Sequence, residues 1–174
     1  MRFSSTEEYG LRCMLQMAKK GPTGTSTIVE LAHKEALTSS YVAKIMSVLR
    51  KGNLVKSIRG QSGGYQLARP AEEINVNEVL EALSGKFFSR EEYCSSAAPE
   101  HGACLHSMDC TIRSLWTGLN AAITGYLRKC RLSDLVGAEK DMDKWVGQSS
   151  EKTFVPMAQT GLETKKTKEE TRVS

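Results

Sequence analysis

The sequence predicts a mostly helical chain with one small β-hairpin, and three observations carry that reading. Apolar residues recur at helical spacing in five separate stretches of the 174 residues. Only one stretch holds two short β-prone runs, at about 55–59 and 65–68, and they flank the glycine-rich Gly60-Gln61-Ser62-Gly63-Gly64. Hydrophobic residues make up 40% and charged residues 25%, enough apolar side chains for a core and too few charges for global disorder. Three short helices running into a hairpin is the order of a winged helix–turn–helix, here followed by one long helix.

Each element has its own signal. Residues 5–19 read as a helix: Ser5 and Glu8 have capping-box spacing, and Leu11, Met14, Leu15 and Ala18 make an inward stripe. A second helix opens at Thr27, with Glu30 three residues on, and buries Ile28, Leu31 and Ala32. After a turn at 35–37 a third starts at Thr38, with Val42, Ile45, Met46 and Leu49 inward and Gly52-Asn53 as a left-handed stop. Beyond the hairpin, Ile74 is placed as a hydrophobic staple for a fourth helix. That helix starts at Asn75 and Glu78 and turns Val79, Leu80 and Leu83 inward. Residues 84–108 are polar, contain Gly85, Pro99 and Gly102, and read as a loop. Asp109 is expected to cap a long helix to about residue 127, ~28 Å at ~1.5 Å per residue. Its seam of Ile112, Leu115, Trp116, Leu119, Ala122, Ile123 and Tyr126 has little remaining chain to cover it. The same helix of a second copy is the economical cover, and packing back on its own domain is the other. From about residue 140 no period persists, and mostly disorder is expected. The division is therefore 1–83 (winged helix), 84–108 (loop), 109–137 (long helix and a short C-terminal helix) and 138–174 (tail).

Net charge is only +4, but it is unevenly spread. Residues 1–70 hold 11 Lys/Arg against 4 Asp/Glu, a balance of +7, whereas the rest hold 13 against 16, a balance of −3. A basic N-terminal module favours a polyanion partner, and with this element order that partner is double-stranded DNA. The N-terminal face of the third helix offers Thr38, Ser39, Ser40, Tyr41 and Lys44 to base edges and phosphates, and Thr27 opens the helix before it. Arg50, Lys51 and Lys56 are expected on the phosphate backbone. Arg59, beside Gly60, Gln61 and Ser62, is placed to enter a minor groove. No Cys–His–acid constellation, phosphate-binding glycine loop or H-E-x-x-H appears, so an enzyme is not expected. No run is apolar enough for a membrane span and the N-terminus lacks a secretory pattern, so a cytoplasmic location is expected.

Five cysteines in such a setting do not read as a disulfide framework. Cys94, Cys104 and Cys110 cluster in the polar segment, with spacing C-x9-C-x5-C. That spacing fits no zinc-ribbon rule, while thiolates are soft ligands suited to iron–sulfur clusters or zinc. An iron–sulfur cluster, a metal-free thiol switch, and zinc or inert cysteines stay open on the residues alone. Cys13 falls near the inward stripe of the first helix and reads as packing, and Cys130 follows the long helix.

Four stretches resemble one family: Tyr9-Gly10-Leu11-Arg12, Ser40-Tyr41-Val42, Leu49-Arg50-Lys51-Gly52-Asn53-Leu54-Val55 and Arg59-Gly60-Gln61-Ser62-Gly63-Gly64-Tyr65-Gln66-Leu67. They are similar to the IscR/NsrR/CymR group of bacterial regulators, the Rrf-two superfamily, over about residues 1–137. The resemblance implies a homodimer on a pseudo-palindromic operator, acting as a repressor. It also implies an iron–sulfur cluster on Cys94, Cys104 and Cys110, 2Fe–2S rather than 4Fe–4S, serving redox or nitric oxide sensing. IscR-like members place a histidine ligand where Arg113 stands here, and arginine cannot ligate. The NsrR-like pattern takes a carboxylate from the partner's first helix, which is Glu8, with Glu7, His101 and His106 as competitors. A CymR-like alternative is metal-free and controlled by a thiol switch or a metabolic enzyme partner. Two departures stand out: Ala36 occupies a turn position where glycine is frequent, and Ala43 replaces a glutamate that modulates site choice.

Overall fold

The computed structural model describes residues 4–60, 63–96 and 109–153. Helix α1, Ser5–Ala18, is capped by Ser4. The Ser4 Oγ accepts the Glu7 N–H at 3.2 Å, and Glu7 returns a bond to the Ser4 N–H. The capping box thus lies one residue earlier than Ser5–Glu8, which leaves Glu8 outside it. Helix α2, Ile28–Lys34, is capped by Thr27, and α3, Ser39–Lys51, by Thr38. Strands β1, Val55–Ile58, and β2, Gly64–Leu67, pair antiparallel. Helix α4, Val76–Ser84, is capped by Asn75.

The core lies where α1, α2, α3, α4 and the hairpin root converge. Met14, Met17, Leu31, Val42, Ile45, Met46, Leu49, Leu54 and Val79 are all essentially inaccessible there. Unbranched methionines fill the irregular space between helices that cross at different angles. Gly10 sets how closely α1 approaches α4: a Cβ there would lie 2.7 Å from Leu83 Cδ2 and 3.1 Å from its Cγ. The α2–α3 turn places Ala36 at φ 52°, a left-handed conformation that an alanine adopts only under strain. At the end of α3 it is Asn53, at φ 55°, that turns left-handed, while Gly52 stays at φ −77°.

Three stretches depart from the sequence expectation. The polar loop contains a short helix α5, Arg90–Ser96, with Ser89 Oγ accepting the Glu92 N–H at its start. The long helix α6, Thr111–Lys129, is capped by Cys110 and not by Asp109: the Cys110 sulfur accepts the Arg113 N–H at 3.4 Å. Within the tail, α7 covers Glu139–Thr153, with Trp145 edge-on to Tyr126 of α6 at 5.3 Å, and residues 154–174 lie outside the described residues. Aromatic pairs at this separation need no apolar periodicity in the flanking sequence, which is why the polar composition misled.

Helix α6 meets α5 through Arg113 at its start and is anchored to the winged helix at its end. After it the chain returns to the segment before α4: the Val76 N–H bonds Cys130 O at 2.9 Å and the Leu132 N–H bonds Ile74 O at 2.8 Å. This stitch buries Cys130 and Leu132, whereas no residue of α6 itself is buried. Ile112, Leu115, Trp116 and Leu119 are 56%, 66%, 42% and 41% exposed.

Candidate nucleic-acid interface and cysteine site

The outer face of α3 follows from its period. With Val42, Ile45, Met46 and Leu49 buried, Ser40, Lys44, Ser47 and Lys51 fall on the opposite side. Ser39, Ser40, Lys44, Arg50 and Lys51 are exposed, as are Lys56, Arg59 and Gly60 along the hairpin. Thr27 and Thr38 are exposed at their caps, where Thr27 Oγ1 accepts the Glu30 N–H and Thr38 Oγ1 accepts the Tyr41 N–H. Tyr41 corrects the expectation of a free side chain. Half-buried, it stands edge-on to Tyr9 at 6.2 Å and its hydroxyl bonds Thr6 Oγ1 at 3.3 Å, so it seats α3 on α1. Gln61 and Ser62 lie outside the described residues.

Among the described residues the cations of this face hold no carboxylate of their own chain: Lys44, Arg50, Lys51, Lys56 and Arg59 enter no ion pair. Arg12, Lys20, Lys34 and Arg69 each hold a carboxylate: Glu8, Glu30, Glu30 and Glu78. Cations left without internal partners on one face raise its potential toward a polyanion. The hairpin glycines are sterically required: Gly60 sits at φ 118°, and a Cβ on Gly64 would lie 2.6 Å from Ser26 O. That contact accompanies a two-bond bridge, with the Ser26 N–H to Tyr65 O and the Tyr65 N–H to Ser26 O, both 2.8 Å.

Two of the three clustered cysteines are brought to one residue. Arg113 gives its main-chain N–H to Cys110 and its guanidinium Nη1 to Cys94 Sγ at 3.6 Å. Cys104, His101 and His106 lie outside the described residues. Cys13 is fully buried and Cys130 nearly so. Burial, with Glu35 nearby for Cys13 and Asp134 for Cys130, pushes both thiols up to about 11. They are packing residues.

Glu8 ion-pairs with Arg12 at 2.8 Å, and Arg12 also stands 3.9 Å from Glu35, a nearly buried carboxylate in the α2–α3 turn. Glu35 accepts a bond from Gln16 as well. Sequence reasoning missed this chain. The i, i+4 spacing of Glu8 and Arg12 announces only its first link. Glu7, the competitor, is committed to Ser4 and Ser84; burial raises its carboxyl, but those hydrogen bonds outweigh it and hold it low. Glu8 edges a groove of about 470 Å³ floored by Leu11, Leu15, Leu80 and Leu127.

A family model described as Rrf2, iron-dependent transcriptional regulator, matches residues 3–138. The chain belongs to the Rrf2 family. Among its Rrf2 relatives is the HTH-type transcriptional regulator IscR of Enterobacter sp. (strain 638), 31% identical over 153 residues, or 88% of this chain and 90% of that one. The solved CymR, the global cysteine regulator of B. subtilis, matches with a TM-score of 0.62 at 29% identity, covering 78% of this chain and 96% of its own. T. potens IscR matches with a TM-score of 0.62 at 26% identity, covering 83% and 90%. This Rrf2 chain is a DNA-binding transcriptional regulator. Among the described residues no helix is long and apolar enough to cross a membrane.

Proposed function

We propose that the protein is a homodimeric repressor. It reads a pseudo-palindromic operator through α3 and the wing, and its affinity depends on an iron–sulfur cluster held by Cys94, Cys104 and Cys110. The observation that carries the DNA reading is the set of exposed, internally unpaired cations on α3 and the hairpin. Ser39, Ser40 and Lys44 face base edges, Arg50, Lys51 and Lys56 the phosphates, and Arg59 with Gly60, Gln61 and Ser62 the minor groove.

The donor set fits the cluster. Two soft sulfur donors converge on one cationic residue at the start of α6, and a third follows Cys94 within the same segment. When bound, such a group supplies a redox- or nitric oxide-responsive centre. Glu8 is the fourth donor, and it comes from a second copy. Within one chain Glu8 edges a groove that reaches Leu127, whereas Cys110 lies 17 residues earlier on α6, roughly 25 Å away at ~1.5 Å per residue. The exposed ridge of Ile112, Leu115, Trp116 and Leu119 matches the apolar floor of that groove, which supports a crossed pair of long helices. Glu8 can then serve the centre or keep Arg12, and Arg12 bears on Glu35 in the turn before α3. A difference of ~1.4 kcal/mol in DNA binding between the two arrangements is a tenfold difference in operator Kd.

The solved CymR chains, one of them an oxidised form, favour a second reading, a metal-free regulator governed by a thiol switch or an enzyme partner. Iron and sulfide quantification on oxygen-free protein separates the two, paired with operator binding before and after cluster removal. Stoichiometric iron with altered affinity on its loss is expected; an iron-free protein with intact, salt-sensitive binding would leave only the second.

A further inference from the structure

Arg113 stands in the first turn of α6, and its contacts give it a task of its own. We propose that Arg113 is a positioning residue for the iron–sulfur centre: it clamps Cys94 to Cys110 and donates N–H···S bonds to two of the sulfur ligands. The inference rests on the cluster reading above.

The geometry points two arms of one residue at two thiols. The main-chain N–H at the first turn of α6 reaches Cys110 Sγ at 3.4 Å, and the guanidinium reaches Cys94 Sγ, on α5, at 3.6 Å. Sulfur accepts hydrogen bonds at longer range than oxygen, and a sulfur ligand keeps lone pairs for such bonds. Partners of this kind fix the direction of a ligand and tune the metal, and their loss typically lowers metal retention about 10–100-fold. A planar, permanently charged fork holds a large, polarisable acceptor better than a point charge on a flexible stem. A positive charge and N–H donors beside cluster sulfurs stabilise the more negative, reduced form, so the reduction potential rises. Arg113 cannot ligate, and so it leaves the remaining coordination position to a carboxylate while compensating the charge that carboxylate brings.

The two arms predict different responses. Substitution at Arg113 removes the side-chain arm to Cys94 and leaves the main-chain bond to Cys110 in place. The experiment uses the full chain, reconstituted without oxygen, as wild type, Arg113→Ala and Arg113→Lys. It measures iron release to a chelator and the midpoint potential by optical titration, with circular dichroism confirming the fold. Release about 10–100-fold faster in the alanine variant, together with a lower potential, is expected. The lysine variant should recover part of the potential through its charge but little of the retention. Equal release and equal potential in all three proteins would overturn the clamp and leave the cluster reading standing. A wild type that takes up neither iron nor sulfide would overturn both. If the alanine variant unfolds, the lysine variant decides alone: retention equal to wild type rejects a need for the fork.

Discussion

Cys13 and Cys130 contrast with Cys94 and Cys110, since the first pair is buried in the fold and the second is half-buried against Arg113. Both buried thiols keep their protons to about 11, whereas an unfolded chain releases them near 9. Between those values the unfolded state binds fewer protons, so stability must fall as pH rises, and below about 8 it should be flat with respect to these groups. Urea midpoints at pH 8 and pH 10.5 should show the drop, and Cys13→Ala should shrink it. An unchanged drop in that variant would refute the assignment. Arg12 makes a related point, since a side chain on α1 divided between Glu8 and Glu35 is visible only once the turn at Ala36 is folded against α1. The left-handed Ala36 was hinted at only by the family resemblance, in which glycine is frequent at that turn position.

At the level of elements, the sequence located every buried helix of the winged helix and missed α5 and α7. Stripes such as Val42, Ile45, Met46 and Leu49 announce themselves by period, and Thr27, Thr38 and Asn75 announce the caps. Helix α5 is too short for a period, and α7 depends on Trp145 meeting Tyr126 across the sequence. The cap of α6 was misread because cysteine is seldom considered for that task, while Asp109 beside it is a common choice. In the candidate site the residue types on α3 were legible, but the inward anchoring of Tyr41 and the double contact of Arg113 were not; both rest on partners far along the chain. Gly10 supplies the test at this scale. Gly10→Ala gains about 1 kcal/mol of helix propensity but meets Leu83 Cδ2 and Cγ, an overpacking cost of about 1–3 kcal/mol. A net loss of about 1 kcal/mol is expected, read as a lower urea midpoint at unchanged slope. A gain in stability would mean that α1 and α4 are not pressed together there.

For the whole molecule, the question is what covers α6. Leu115 is 66% exposed in the single chain, so Leu115→Glu has no packing to disturb unless a second copy lies on it. Sedimentation should report a dimer for the wild type and a monomer for the variant, with an unchanged circular dichroism spectrum. Operator binding should weaken about 10²-fold or more, because two tethered half-site contacts become independent. A variant that stays dimeric would move the interface elsewhere.

The paired hydrogen bonds between Ser26 and Tyr65, closed over Gly64, weld the wing root to the residue that precedes the cap of α2. The wing root is therefore fixed to α2 and, through the core they share, to α3, so that wing and α3 are one rigid stamp with their mutual spacing cast when the domain folds. In the proposed dimer, any signal that alters the choice of operator must then re-aim one stamp against its twin, and the variable to watch is the distance between the two imprints along the duplex.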